Sequence, residues 1–237
     1  MSRGGKLSRL QADSSVSVGS TLALLEGVVS KSKKDMFEVE VSFDQNSFVK
    51  LFTLTYHRNT LAHIFFQEAT VATALASFGN LLATQGVGQH QLRQRTLELN
   101  EWLGGEFYSS ELPLSSEKRY GEVVGLMESR GVLVREGEKV KGGDLEGNYF
   151  QFYWSLVWPV VESYWMACLY LFKLTSTTLP LQKLLTQIQW FGQSLLNDRL
   201  SAFSEAISSD TLKNAINLFV RLGILTVEQG QVKVVSK

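Results

Sequence analysis

The sequence predicts a mainly α-helical chain: a helical bundle holding two winged-helix-like helix–helix–hairpin repeats and one short N-terminal strand. Three observations carry this. Apolar side chains recur at helical spacing over most of the chain, a pattern of one apolar stripe per helix. Strict alternation is confined to a few short stretches that end in glycine turns. The region 89–141 is echoed by 181–236, with the same succession of stripes and turns.

In chain order, residues 1–34 are Ser- and Gly-rich and carry six basic side chains (Arg3, Lys6, Arg9, Lys31, Lys33, Lys34) against Asp13 and Glu26. They read as a basic flexible tail ahead of a folded region over 35–237, with an organellar address or a membrane-surface arm as the competing reading. No secretory signal is expected, because Met1 to Asp13 lack an apolar stretch of the needed length. Residues 36–43 alternate apolar and acidic side chains, the period of an edge strand with one wet face.

From Asp44 the pattern turns helical, and Val71, Leu75, Phe78 and Leu82 fall on one face of a helix expected to end near Gln85-Gly86. The 24 residues between Glu68 and Arg93 hold no formal charge. Their Ala, Thr, Ser, Asn and Gly content, with Gly79-Asn80 and Gly86-Val87-Gly88 interrupting, argues against a membrane span.

The first repeat then begins. Leu92, Thr96, Leu99 and Leu103 trace one helix, Ser115-Ser116-Glu117 caps a second, and Tyr120, Val123, Val124 and Met127 form its apolar face. A hairpin follows over 132–141 around Gly137. Residues 149–172 are the most apolar and aromatic stretch. Their Trp154, Trp158 and Trp165 belong to a buried core helix or to one that touches a membrane, and Glu162 near the middle would cost about 2.5 kcal/mol or more at a bilayer centre. In the second repeat Leu181, Leu184, Leu185, Ile188 and Leu195 trace the helix, and Ser208-Ser209-Asp210 caps the next, whose face is Leu212, Ala215, Ile216 and Phe219. A hairpin over 224–235 turns at Gly230, and the matched caps and glycines are offset by 92 or 93 residues.

Charge and composition narrow the function. With 23 basic and 23 acidic side chains the formal net charge is zero, and the second helix of each repeat mixes both signs. A winged-helix outline therefore does not read as nucleic-acid binding, which draws its affinity from an excess of Lys and Arg over the phosphates. A single cysteine, Cys168, leaves no intramolecular disulfide, and three histidines leave little for a metal site, so none is assigned. No Gly-x-Ser-x-Gly elbow and no phosphate-cradling Gly-x4-Gly-Lys loop occurs. His63 and Glu68 have a His-x4-acid spacing, but five residues on a helix turn the two side chains roughly 140° apart. No catalytic residue is assigned.

The polar cluster Tyr56-His57-Arg58-Asn59-Thr60-Leu61-Ala62-His63 interrupts an otherwise apolar stretch and is the candidate site. Arg58 offers a bidentate fork for a carboxylate or phosphate, and Asn59 both a donor and an acceptor. Two roles stay open for Tyr56, Arg58, Asn59 and His63: contact with substrate, or a hydrogen-bonded lock between packed elements.

Three stretches in order together resemble one family. Leu54 to Phe65 is similar to a Tyr-Arg-Asn signature running into a His-Ile-Phe stretch. Val161-Glu162-Ser163-Tyr164 resembles the head of a central helix, and Ser208 to Ala215 with Val220 to Leu225 resembles a closing helix. The family is the C-terminal region of glycerol-3-phosphate and dihydroxyacetone-phosphate acyltransferases, most similar to the mitochondrial type, and the likeness covers about residues 20–235. The resemblance implies transfer of an acyl chain from acyl-CoA or acyl carrier protein, as co-substrate and with no cofactor, to the first hydroxyl of the acceptor. It also implies a role in phospholipid biosynthesis and a membrane setting, with the mitochondrial outer membrane favoured over endoplasmic reticulum or peroxisome. The family's His-x4-Asp motif and phosphate-binding Arg belong to an upstream catalytic domain and are absent from these residues. The chain is therefore expected to be inactive alone and to partner that domain in cis or in trans. A free-standing, non-catalytic interaction module derived from the family is the alternative.

Overall fold

The computed structural model describes residues 30–33, 39–42, 58–79, 85–107, 113–143, 149–174, 178–201 and 203–235. Among them the fold is mainly α. Strands β1 (Ser30–Lys33) and β2 (Val39–Ser42) pair antiparallel, Ser30 opposite Ser42. The expected edge strand is thus one arm of a hairpin, and its partner comes from residues assigned to the tail. Alternation was visible in β2 alone, because Ser30–Lys33 carries no apolar side chain.

Residues 58–64 are helical and run into α1 (Phe66–Ala76). Backbone bonds from Phe65 to Leu61 and from Ala69 to Phe65 keep the ladder intact across the joint. Helix α1 is buried from Phe66 to Leu75 on every side, which its Ala- and Thr-rich sequence allows by letting neighbours approach closely. Thr70 satisfies its hydroxyl on the Phe66 carbonyl at 2.7 Å. The helix stops well short of the expected Gln85-Gly86. Phe78 lies in the turn Ser77–Gly79, where Gly79 is left-handed (φ 61°), and Leu82 lies outside the described residues.

The first repeat comprises β3 (Val87–Gly88), α2 (Gln89–Leu103), α3 (Glu117–Ser129), β4 (Leu133–Glu136) and β5 (Lys139–Gly142). Helix α4 (Tyr149–Lys173) follows. The second repeat comprises β6 (Leu179–Pro180), α5 (Leu181–Asn197), a 3-10 turn (Ser204–Ile207), α6 (Ser209–Arg221), β7 (Leu225–Glu228) and β8 (Gln231–Val234). Each repeat closes a three-stranded sheet with the hairpin's second strand in the centre. Val87 pairs with Val140 in one and Leu179 with Val232 in the other. The two-residue strands β3 and β6 are too short to show alternation, so the sequence reveals only the hairpins.

Every matched element starts 92 residues after its counterpart, and α5 runs two residues longer than α2. The apparent 93 at the turns has a conformational cause. The first hairpin puts its glycine, Gly137 (φ 61°), at the first central position. The second has Gln229 (φ 48°) there and its glycine one place later, at Gly230 (φ 76°). Ser116 and Ser208 hold the N-cap positions of α3 and α6, also 92 apart, but neither hydroxyl makes a cap hydrogen bond. Both helices end at a left-handed glycine. Val132 and Ile224 then donate back to the Met127 and Phe219 carbonyls, aiming the chain into its hairpin.

The buried faces follow the predicted stripes: Leu92, Thr96, Leu99 and Leu103 in α2, and Leu212, Ala215, Ile216 and Phe219 in α6. Each repeat has its own core, and α4 runs through both. Phe150 and Tyr153 enter the first core and Ala167 and Leu171 the second. Between them Leu156 and Val157 pack on Ala62, Phe66, Ala69 and Leu103. Helix α4 continues through Pro159 although proline removes one ladder bond.

Candidate functional site

The candidate residues of the 58–64 helix meet α4 through the connection between α5 and α6. That connection starts at Arg199, which is left-handed (φ 57°) and ends α5 with bonds from Arg199 to Leu196 and from Leu200 to Leu195. The turn brings Ser201, Phe203 and Glu205 across the molecule as a strap.

Arg58 is the strap's first anchor. Its Nη2 lies 2.7 Å from Glu205 Oε1, and its guanidinium sits over the Phe203 ring at 5.4 Å from the centroid. Arg58 also donates to Asn59 Oδ1 at 3.2 Å, while the Asn59 side chain faces solvent. Glu162 of α4 is the second anchor. Ser201 Oγ donates to one carboxylate oxygen at 2.5 Å and Trp158 Nε1 to the other at 3.1 Å. Trp154 meets Trp158 edge-on at 4.8 Å, and Trp165, also on α4, is exposed.

His63 is exposed and meets Phe107 edge-on at 5.5 Å, and Phe107 in turn stacks on Phe66. Glu68, five residues on, is buried, so the two diverge as helix geometry requires. Tyr56 lies outside the described residues. The structure thus links Arg58 and Asn59 to Trp154, Trp158 and Glu162 through one strap, while His63 packs on Phe107 and Trp165 is exposed.

A third polar group sits where α2, α4 and α6 meet. Tyr164 Oη donates to Glu106 Oε1 at 3.0 Å. Burial pushes the Glu106 carboxyl above its ordinary range, and hydrogen bonds from Asn214 and Tyr164 offset part of that. Burial likewise raises the Tyr164 phenol, and the neighbouring Glu106 charge raises it further. Tyr164 and Asn214 fall within the stretches that carry the family resemblance, whereas nothing in the sequence marks Glu106 and Glu205. Both are acids in polar, glycine- or serine-containing segments, and only their distant partners distinguish them.

The chemistry available to these groups is cohesion. Arg58 Nη2 is engaged by Glu205 while its buried Nε has no hydrogen-bond partner, both Glu162 oxygens already accept a donor, and Glu106 is held by Tyr164. Among the described residues no group of three or more His, Cys, Asp or Glu side chains is placed to hold a metal ion.

Comparison with known proteins adds the missing context. A family model described as glycerol-3-phosphate acyltransferase C-terminal region matches residues 2–228. The dihydroxyacetone phosphate acyltransferase of Oryctolagus cuniculus is 29% identical over 185 residues, which is 75% of this chain and 25% of that protein. The proteins of the same name from Mus musculus and Homo sapiens are 28% and 25% identical over 177 residues, with the same coverage. The chain spans about a quarter of the length of the curated relatives it matches.

Proposed function

The chain belongs to the family of glycerol-3-phosphate acyltransferase C-terminal regions, and from that premise we propose that it is the part of an sn-1 O-acyltransferase that supports a separate catalytic domain. The observation that carries this is the pairing of a match over residues 2–228 with relatives of which the chain spans only a quarter. The reaction would move an acyl group from acyl-CoA or acyl carrier protein to glycerol 3-phosphate or dihydroxyacetone phosphate, using a general base outside this chain. Such a base contributes roughly 10²- to 10⁴-fold, so the isolated chain is expected to be inactive.

Within this reading Arg58 locks the strap to the 58–64 helix, since Glu205 and Phe203 engage its guanidinium. The docking face is the outward side of α4. Trp165, Cys168 and Phe172 are exposed there and follow one another at spacings of 3 and 4 residues, the seam spacing of a helix that packs on another. Trp165 is 42% exposed and Phe172 89%. The catalytic domain of the same polypeptide is the occupant we assign to it.

A second reading has its own observation. Helix α4 is long and apolar enough to cross a membrane by length and composition, and its exposed Trp and Phe also suit a lipid surface. The membrane-associated setting, with the mitochondrial outer membrane first, stands or falls with flotation on vesicles: loss of flotation in Trp165→Ser/Phe172→Ser supports it, and no flotation of the unaltered chain removes it. The main proposal is tested by sizing the native polypeptide in cell extract with an antibody against residues 88–144. A band several times larger than 26.5 kDa is expected. A band at 26.5 kDa would sink the single-polypeptide form and leave a free-standing interaction module.

A further inference from the structure

The 92-residue relation reaches beyond the two repeats. Carried back from α2 and α5, it sets the helical run 58–76 against residues 150–168 of α4. Burial agrees with that alignment. Leu75 and Ala167 each enter the core of their own repeat, and Ala74 and Met166 are both fully buried. The run 58–76 and this part of α4 are therefore equivalent first helices of two units built on one plan.

The units differ in what covers them. On the first, Ala62, Phe66 and Ala69 pack on Leu156 and Val157 of α4, and Thr73, next along that face, is 2% exposed. At the end of α3, Arg130 donates to Tyr153 Oη at 2.9 Å, and Val132, 1% exposed, shares a core with Phe150 and Tyr153. The counterparts of Thr73, Arg130 and Val132 in the second unit are Trp165, Leu222 and Ile224. These are 42%, 46% and 43% exposed, and Cys168 and Phe172 continue the open face along α4. The backbone is the same in both, since Gly143 donates to the Val132 carbonyl as Val235 does to that of Ile224. What the second unit lacks is the covering helix.

We propose that this face seats one helix of the catalytic domain, laid against α4 and the end of α6 as α4 is laid against the run 58–76 and the end of α3. This rests on the reading that such a domain docks on α4, and it names the element that makes the contact. The chain itself shows what closes such a face: a single helix with apolar and aromatic side chains turned inward. A second copy cannot extend the series, because its own run is buried from Phe66 to Leu75. The counterpart residues define the occupant. Leu222 replaces Arg130, so the helix is apolar where α4 carries the Tyr153 phenol. Trp165 is bulkier than Thr73, so close packing calls for a small residue opposite it. Exposed cations adjoin the face in the chain, Lys173 after Phe172 and Arg221 before Leu222, so the flanks of the helix are acidic.

The test places the photo-cross-linker p-benzoylphenylalanine in the complete polypeptide at Phe172 and, separately, at Ile224, with exposed Trp190 of α5 as the control. Cross-links are mapped by mass spectrometry. Both face positions should reach one and the same helix-length segment outside residues 1–237, and Trp190 should not reach it. Maleimide labelling of the exposed Cys168 should be at least tenfold slower in the complete polypeptide than in the 237-residue chain. Slower labelling with Phe172 and Ile224 reaching different segments overturns the single helix and leaves docking on α4 standing. Equal labelling in the two proteins overturns both. Cross-links to lipid, to a second copy or to nothing also overturn the proposal.

Discussion

Removing Arg58 tests whether the strap holds the 58–64 helix to the second repeat. The Arg58–Glu205 pair is 2.7 Å long, with side chains 20% and 24% exposed, which places it between two known limits. Exposed pairs contribute about 0.2–1 kcal/mol, and breaking a fully buried pair costs about 3–5 kcal/mol. One-fifth exposure therefore gives a coupling of about 1–2 kcal/mol, discounted for partial solvent screening. The cation over Phe203 adds about 0.5–1 kcal/mol to the Arg58 single variant alone, so Arg58→Ala should lose about 1.5–3 kcal/mol in all. Urea unfolding of the unaltered chain, Arg58→Ala, Glu205→Ala and the double variant isolates the pair term. A coupling within about 0.3 kcal/mol of zero, the usual scatter of independent sites, would show that the strap rests on its apolar contacts alone. In a complete enzyme the same Arg58→Ala separates the two roles of this residue. Lost stability with an unchanged KM for the phosphate acceptor fits the lock, and a raised KM with unchanged stability would refute it.

Three more outcomes follow from the geometry. Glu106 has a folded-state pKa raised above its unfolded value, so the folded chain holds that proton more tightly and stability falls as pH rises from about 4.5 toward the folded pKa; Glu106→Gln should flatten that slope in denaturant titrations at pH 4 to 7, and an unchanged slope would contradict it. Arg199 is left-handed at the end of α5, a conformation that costs a side-chain-bearing residue about 1–2 kcal/mol, so Arg199→Gly should raise the melting temperature despite the more flexible unfolded chain, while Gly223→Ala at the end of α6 should lower it. A Cβ on Gly192 would come within 2.5 Å of Ile207 Cγ2 and 3.0 Å of Met166 Sδ, so Gly192→Ala should destabilise by about 1–3 kcal/mol, and a neutral result in calorimetry would mean that the 3-10 turn yields freely.

Much of the helical framework was legible because each repeat helix buries one stripe, and a stripe is a local property of sequence. Leu92 to Leu103 and Leu212 to Phe219 could be named from spacing alone. Helix α1 shows the limit of that logic. It is buried on all sides from Phe66 to Leu75, so spacing could not mark its end, and the reading ran on through Phe78. Strands β3 and β6 escaped for the opposite reason, having two residues each. The strap was invisible because Arg58 finds Glu205, and Glu162 finds Ser201, across long stretches of chain, and no periodicity encodes such a pairing.

Two repeats built on one plan can each fold around the same buried positions, and a departure from the plan needs its own cause. At α4 the departure is the helix itself, which enters both cores and still carries Trp165 and Phe172 outward, where burial in this chain does not account for them. At the first repeat it is Arg93 and Tyr120 where the second packs Leu185 and Leu212.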